Sequence, residues 1–418
     1  MAALRAEKAK LLGFADFGSY ALADQMAKTP DSVRRFIADL VPPASMKAGE
    51  EASEIQAEID QTGQSFPLEP WDWQYYSARV KDKKYAVNDA RLREYLEFEN
   101  VLQNGLFYAA TELYGISFKE RKDLPVYASS VRVFEVFDTD GAVLGLVYLD
   151  CFIRAGKQGG AWSGNLVKGS KLLARRPVVF SIANFPAPAS GQKALLSFTD
   201  VTTLFHEFGH ALHLLFSENT YPSLSSIDTA RDWVEFPSQF NEHWALEPKV
   251  LRNYATHFET GEPIPSDLVD TFRKSQSWDK GYWLSEYLAA SALDQQWHSI
   301  SADNPPRDTN QFEIVALRDT HTDFRRVPPR YHSTYFAHIW SNGYAANYYA
   351  YPWTALLADD AYAWFSEHGG LTRANGERFR KLILAKARAE DYDVLFRQFY
   401  GKDPDAGPMF ERLGLRKP

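Results

Sequence analysis

From residue 1 to about 60, apolar positions recur every three or four residues among Ala, Leu, Lys and Glu, the period of amphipathic helices. Lys28-Thr29-Pro30-Asp31-Ser32 interrupts the pattern, and Thr29 or Asp31 is placed to cap a second helix running through Ala38 and Leu40. Val41-Pro42-Pro43 predicts the end of that helix, because proline disfavours helical backbone in the residue before it. A further charged helix is expected over 44–62. The aromatic-dense stretch 66–90, with Trp71, Trp73, Tyr75 and Tyr76, is expected to pack between helices, and helical spacing resumes over 89–114.

The period then changes. Residues 131–137 alternate, Asp138-Thr139-Asp140-Gly141 is a turn and 142–152 is β-branched and apolar, which together predict a β-hairpin. After a Gly-rich loop at 156–169, residues 177–185 read as a third strand. Ser197-Phe198-Thr199-Asp200 has the form of a capping box opening a helix through His206 and His213. Gly209 inside that helix predicts close approach by a neighbouring backbone. A polar loop over 217–229 precedes a helix expected at 232–246, with Pro237 near its first turn. Residues 266–300 read as helical, 301–330 as loop, and 331–399 as helical again before a short Gly/Pro tail. The fold class this predicts is mainly α, with one small β-sheet beside the His206 helix. The expected division is a helical region over 1–120 and a second region over 121–418.

Composition narrows the function classes. With 418 residues, 45% hydrophobic and 24% charged, the chain can bury a large core. A formal charge of −8 without a Lys/Arg run offers no electropositive footprint, so neither nucleic acid nor an anionic membrane is an expected partner. Cys151 is the one cysteine, which excludes an internal disulfide and reads as a buried structural thiol. No stretch approaches 18 apolar residues and the first twenty contain no signal-peptide core, so a cytoplasmic protein is the expectation, and a monomer is expected beside it.

The chemistry concentrates in His206-Glu207-Phe208-Gly209-His210. Helical positions i and i+4 share a face, so the two imidazoles can address one tetrahedral zinc, and Glu207, about 100° round, can overlook its open position as a general base. Ten histidines in 418 residues make a chance match of this pattern on the order of one or two per cent, so a third ligand is required. Among Glu218, Asp228, Asp232, Glu235, Glu242 and Glu247, Glu235 is best placed, because its apolar neighbours leave a free carboxylate in need of a partner. Glu242 lies two helical turns on and suits the acceptor of a ligand imidazole's N–H.

At 206–210, followed by Val234-Glu235-Phe236-Pro237-Ser238-Gln239, the chain resembles the thimet oligopeptidase family of zinc metallopeptidases. Asn241-Glu242-His243-Trp244-Ala245 is most similar to its bacterial peptidyl-dipeptidase (dipeptidyl carboxypeptidase) branch, and 335–351 resembles the family independently. The resemblance implies a zincin-like fold and one Zn2+ per chain held by His206, His210 and Glu235. It further implies Glu207 as general base, with His338, Tyr344 and Tyr351 facing the metal and the tyrosines bonding oxyanion and substrate. The implied substrates are short peptides, cleaved to release C-terminal dipeptides or, alternatively, internally as by an oligopeptidase.

Tyr344 and Tyr351, seven apart, are expected on one helical face. Where the family has a glycine run before the tyrosine, this chain has Ser341-Asn342-Gly343. The resemblance covers nearly all of this chain but only the C-terminal part of a typical member, which leaves a silent peptide-binding fragment as a competing reading. Strand 177–185 is either an edge that accepts a peptide by strand addition or an inner strand. His213 is read as packing, and Arg325, Arg326 and Arg330 as candidates for a substrate carboxylate. The remaining histidines have no ligand spacing.

Overall fold

In the computed structural model, which describes residues 1–415 apart from 64, 87 and 225–227, the N-terminal third is helical. Helix α1 spans Ala2–Leu11 and α2 spans Pro30–Gln61. Thr29 caps α2 by accepting the Ser32 N–H, with Pro30 in the first turn where its missing donor costs nothing. The helix does not end at Pro42-Pro43 as expected. Val33, Ile37, Leu40, Val41, Ala44, Ala48, Ala52, Ile55 and Ile59 form one buried stripe on both sides of the prolines. Burial of that stripe outweighs the roughly 3 kcal/mol local penalty of an interior proline. Of the aromatic stretch that follows, Trp73 is buried, whereas Trp71 and Tyr75 are exposed.

Among the described residues five strands form one mixed sheet: β1 (Ser117–Glu120), β2 (Arg132–Phe137), β3 (Val143–Phe152), β4 (Trp162–Val167) and β5 (Val178–Phe185), in the order β1-β2-β3-β5-β4. The expected hairpin is β2 and β3, paired antiparallel. Strand β5 runs parallel to β3 and antiparallel to β4, so the 177–185 strand is an inner one. The edge belongs to β4, inside the stretch expected to be loop. Its six residues are too few and too glycine-interrupted for alternation to stand out, and Gly164 leaves room for the Phe180 ring.

Helix α3 (Phe198–Leu215) lies against this sheet. Ser197 and Asp200 cap it reciprocally, at 3.1 Å from the Asp200 N–H to the Ser197 hydroxyl and 2.8 Å from the Ser197 N–H to the Asp200 carboxylate. Loss of the Ser197 hydroxyl would cost about 1 kcal/mol. Val201, Leu204, Phe205, Phe208, Ala211 and Leu215 join Val179, Ala183 and Phe185 of β5 in the main core. Phe205 and Phe208, essentially inaccessible, contribute roughly 1.5–3 kcal/mol each by burial.

After α3 comes a short helix Arg231–Val234, then α4 (Phe236–Glu242) and a tight turn His243–Leu246. The expected single helix 232–246 is thus broken at Glu235, because the Pro237 ring excludes a continuous helical carbonyl ladder through it. Helix α5 (Lys280–His298) packs along α2, and α6 (Thr309–Asp319) follows. That helix corrects the loop expected over 301–330: its composition is polar, but Asp308 caps it and Phe312, Ala316 and Leu317 pack on Trp297. Residues 331–349 carry only a short helix, Ala337–Trp340, before α7 (Ala350–Glu367). The mainly helical fold class with one small sheet is therefore observed. No helix among the described residues is long and apolar enough to cross a membrane. Residues 225–227 of the expected polar loop, and 416–418 of the tail, lie outside the described residues.

Candidate metal centre

Helices α3 and α4 cross with almost no separation at Gly209. A Cβ there would lie 2.6 Å from the Ser238 Cα and 2.8 Å from the Pro237 carbonyl, so the close approach expected of this glycine is observed. Buried Asn241 fixes the crossing by donating to the Phe205 carbonyl at 2.6 Å. The break at Glu235 then aims its carboxylate at the α3 imidazoles. Glu235 Oε2 lies 3.2 Å from His206 Nε2 and 3.1 Å from His210 Nε2. Two ligands about 2.05 Å from a tetrahedral zinc are about 3.3 Å apart, so the spacing and the N, N, O donor set fit one such ion. Three protein ligands leave a fourth position open.

Two carboxylates, Glu235 and Glu242, flank the His206 imidazole. Burial alone pushes the His206 imidazole down, but Glu235 and Glu242 outweigh it and hold its pKa well above the ordinary value. Burial pushes Glu235 up, and His210 and His206 reverse this to well below the carboxylate range. Glu242 Oε1 is 2.6 Å from His206 Nδ1, which leaves Nε2 directed at the centre. Ser238 Oγ donates to Glu235 at 3.2 Å.

Glu207 is 4% exposed, and Ser163 Oγ on edge strand β4 donates to its Oε2 at 2.8 Å. Sequence reasoning missed Ser163, because nothing local links a serine in a short strand to a residue 44 positions on. Tyr344 donates to Glu235 Oε1 at 3.0 Å, and its ring stacks on Tyr351 with centroids 5.3 Å apart. The two do not share a helical face as expected: α7 begins at Ala350, so Tyr344 stands in the preceding loop, where Gly343 and Ala346 have positive φ. Stacking across the loop brings the rings together instead. Arg231 lies over the Tyr344 ring at 5.0 Å. Burial first, then Glu235, raises the Tyr344 hydroxyl, so it stays protonated.

His338 packs 6.0 Å from Tyr344 and 6.4 Å from Tyr351 between centroids. Burial and then Arg330 lower its pKa, and its buried Nδ1 has no hydrogen-bond partner among the described residues. Arg330 pairs with Glu286 at 2.5 Å and covers the Tyr287 ring, and both Arg330 and Arg325 are exposed. His213 is buried and pushed down to about 3 by desolvation, then by His210, and it is not in the convergent cluster. Glu242 also lines a cavity of about 600 Å³ with Thr199, Thr202, Gln239, Lys280 and Arg412.

The model of Peptidase family M3 matches residues 1–415. The chain is 47% identical over 412 residues to the dipeptidyl carboxypeptidase of Escherichia coli (strain K12), covering 99% of this chain and 60% of that protein. Oligopeptidase A of Salmonella typhimurium (strain LT2) is 36% identical over 426 residues, covering 99% of this chain and 61% of the relative. The solved structure "PZ peptidase A with inhibitor 2" shares the fold, with a TM-score of 0.53 at 14% identity, covering 98% of this chain and 62% of that one. This chain spans about three fifths of the length of these relatives. Matched from residue 1 to 415, with two imidazoles and a carboxylate within reach of one ion, the chain belongs to peptidase family M3.

Proposed function

We propose that this chain is a zinc-dependent peptidase acting on short peptides and releasing C-terminal dipeptides. The observation that carries the reading is the convergence of His206, His210 and Glu235 beside a buried Glu207. Bound by those three side chains, zinc supplies Lewis acidity toward a carbonyl and toward water. Glu207 removes a proton from the attacking water and returns it to the leaving amine, and Ser163 holds its carboxylate in place. Tyr344 and Tyr351 donate to the oxyanion of the tetrahedral carbon, each protonated throughout the neutral range. His338, held neutral, completes the polar wall. Edge strand β4, which itself carries Ser163, is the element of the sheet placed to take an extended peptide by strand addition. Dipeptide release rests on the 47% identity to a dipeptidyl carboxypeptidase, while the oligopeptidase A relative supports internal cleavage as the alternative.

The test combines metal analysis with product mapping on internally quenched peptides bearing free or amidated C-termini. One zinc per chain, dipeptide products and a free-carboxylate requirement are expected, with cleavage lost in Glu207→Gln at unchanged zinc content. Internal fragments from amidated peptides would favour the oligopeptidase reading. No zinc together with no cleavage would favour the silent binding fragment, and cleavage indifferent to Glu207→Gln would overturn the role given to Glu207.

A further inference from the structure

Asp294 and His298 stand one turn apart on α5, both at 0% side-chain exposure. A carboxylate removed from water to that degree persists only when its lone pairs and its charge are matched. Asp294 Oδ1 accepts the Ala346 N–H at 2.8 Å and lies 2.7 Å from His298 Nδ1, while Oδ2 accepts the Tyr348 N–H at 2.9 Å. On its other side, His298 Nε2 lies 2.8 Å from Nη1 of Arg5, on α1. A guanidinium only donates, so Nε2 accepts and the imidazole proton sits on Nδ1, directed at Asp294. The Arg5 charge thus balances the carboxylate across a neutral imidazole.

Both ends of this relay grip one segment. Arg5 donates to the Ile339 carbonyl at 2.6 Å, one residue past His338. Gln295, next to Asp294, donates to the Ala346 carbonyl at 2.8 Å. Between these anchors Ala346 holds φ +59°, a left-handed conformation that alanine rarely keeps unaided. Tyr344 is two residues before Ala346, and Tyr351 three after Tyr348.

We infer that Asp294 is a positioning residue for the reaction, which holds the 338–351 segment through the Ala346 and Tyr348 amides so that Tyr344 and Tyr351 face the His206, His210 and Glu235 centre. The inference rests on the peptidase reading above. Asp294 touches neither substrate nor metal, and it acts by removing the loop's freedom before a peptide arrives.

The experiment compares deuterium uptake over 338–351, zinc content, kcat and KM in wild type and Asp294→Asn. An asparagine keeps one carbonyl oxygen but turns an NH2 donor toward the other of the two amide N–H groups, which then has no acceptor. At least one of the Ala346 and Tyr348 amides should exchange at least 100-fold faster, and kcat should fall on the order of 100-fold with KM within about threefold and zinc content unchanged. Should Asp294→Asn fail to fold, Arg5→Met, which leaves α5 intact, must accelerate exchange over the same segment and lower kcat. Unchanged exchange in folded variants overturns the inference, and so does faster exchange with wild-type kcat. A wild type that cleaves no peptide sinks the peptidase reading, while the exchange arm still decides whether Asp294 holds the segment.

Discussion

Replacing Gly209 with alanine adds one methyl group where the helices carrying His206, His210 and Glu235 cross. The new carbon would sit 2.6 Å from the Ser238 Cα, 2.8 Å from the Pro237 carbonyl and 2.9 Å from the Asn241 Cβ. Carbon atoms pack at about 3.5–4.0 Å, so α4 must retreat by roughly 1 Å, and the contacts to be displaced are mainly backbone. Overpacking of this kind costs about 1–3 kcal/mol, offset by up to about 1 kcal/mol from removing a mid-helix glycine. Net destabilisation of about 1–2 kcal/mol is expected. The larger effect falls on the metal. Glu235 directly precedes α4 and moves with it, whereas zinc tolerates only about 0.2 Å in its ligand distances. Zinc affinity should fall at least 10-fold, read by competition with a chromophoric chelator, with apo stability read by urea denaturation. A Gly209→Ala protein of undiminished stability that binds zinc as wild type does would refute the argument.

Three further outcomes are expected. Glu51 accepts the Gly281 and Tyr282 N–H groups at the start of α5, and burial pushes its pKa from 4.5 to about 7. The folded state then binds more protons than the unfolded state between those values. Its contribution to stability is present below pH 4.5 and is lost, by about 3 kcal/mol, as pH rises to about 7. Glu51→Gln should flatten that part of the pH dependence in urea denaturation. Glu242→Ala removes the acceptor 2.6 Å from His206 Nδ1 and should weaken zinc binding about 10- to 100-fold in the chelator assay without abolishing folding. Cys151 is 4% exposed with its thiol pushed up to about 12 by burial, so a disulfide reagent should label it only at the rate of unfolding.

The parts of this molecule that are legible in its sequence are those fixed within a few residues. The Ser197 and Asp200 cap, the two imidazoles one turn apart and the glycine at the crossing each follow from helical period and local chemistry. Glu235 could be singled out because a carboxylate among Trp233, Val234 and Phe236 needs a cation. What escaped was decided by partners distant in the chain. Pro42 and Pro43 stay helical because a stripe against α5 is buried, and β4 exists because β5 pairs with it. Tyr344 reaches Tyr351 through a loop whose shape is imposed by Asp294, some fifty residues earlier.

Asp232 closes the molecule in a way that bears on how it folds. Its inaccessible carboxylate takes the Met26 and Ala27 N–H groups at 2.9 and 2.8 Å and the Tyr349 hydroxyl at 2.6 Å. Those partners lie 206, 205 and 117 positions away, so one side chain joins the beginning, middle and end of the chain. Contacts of such span form only after long loops have closed, which places their assembly late and makes it slow. The tyrosine wall beside Glu235 is thus among the last parts to order, and a nick between α1 and α2 would be felt at Tyr349, the threshold of the helix that carries Tyr351.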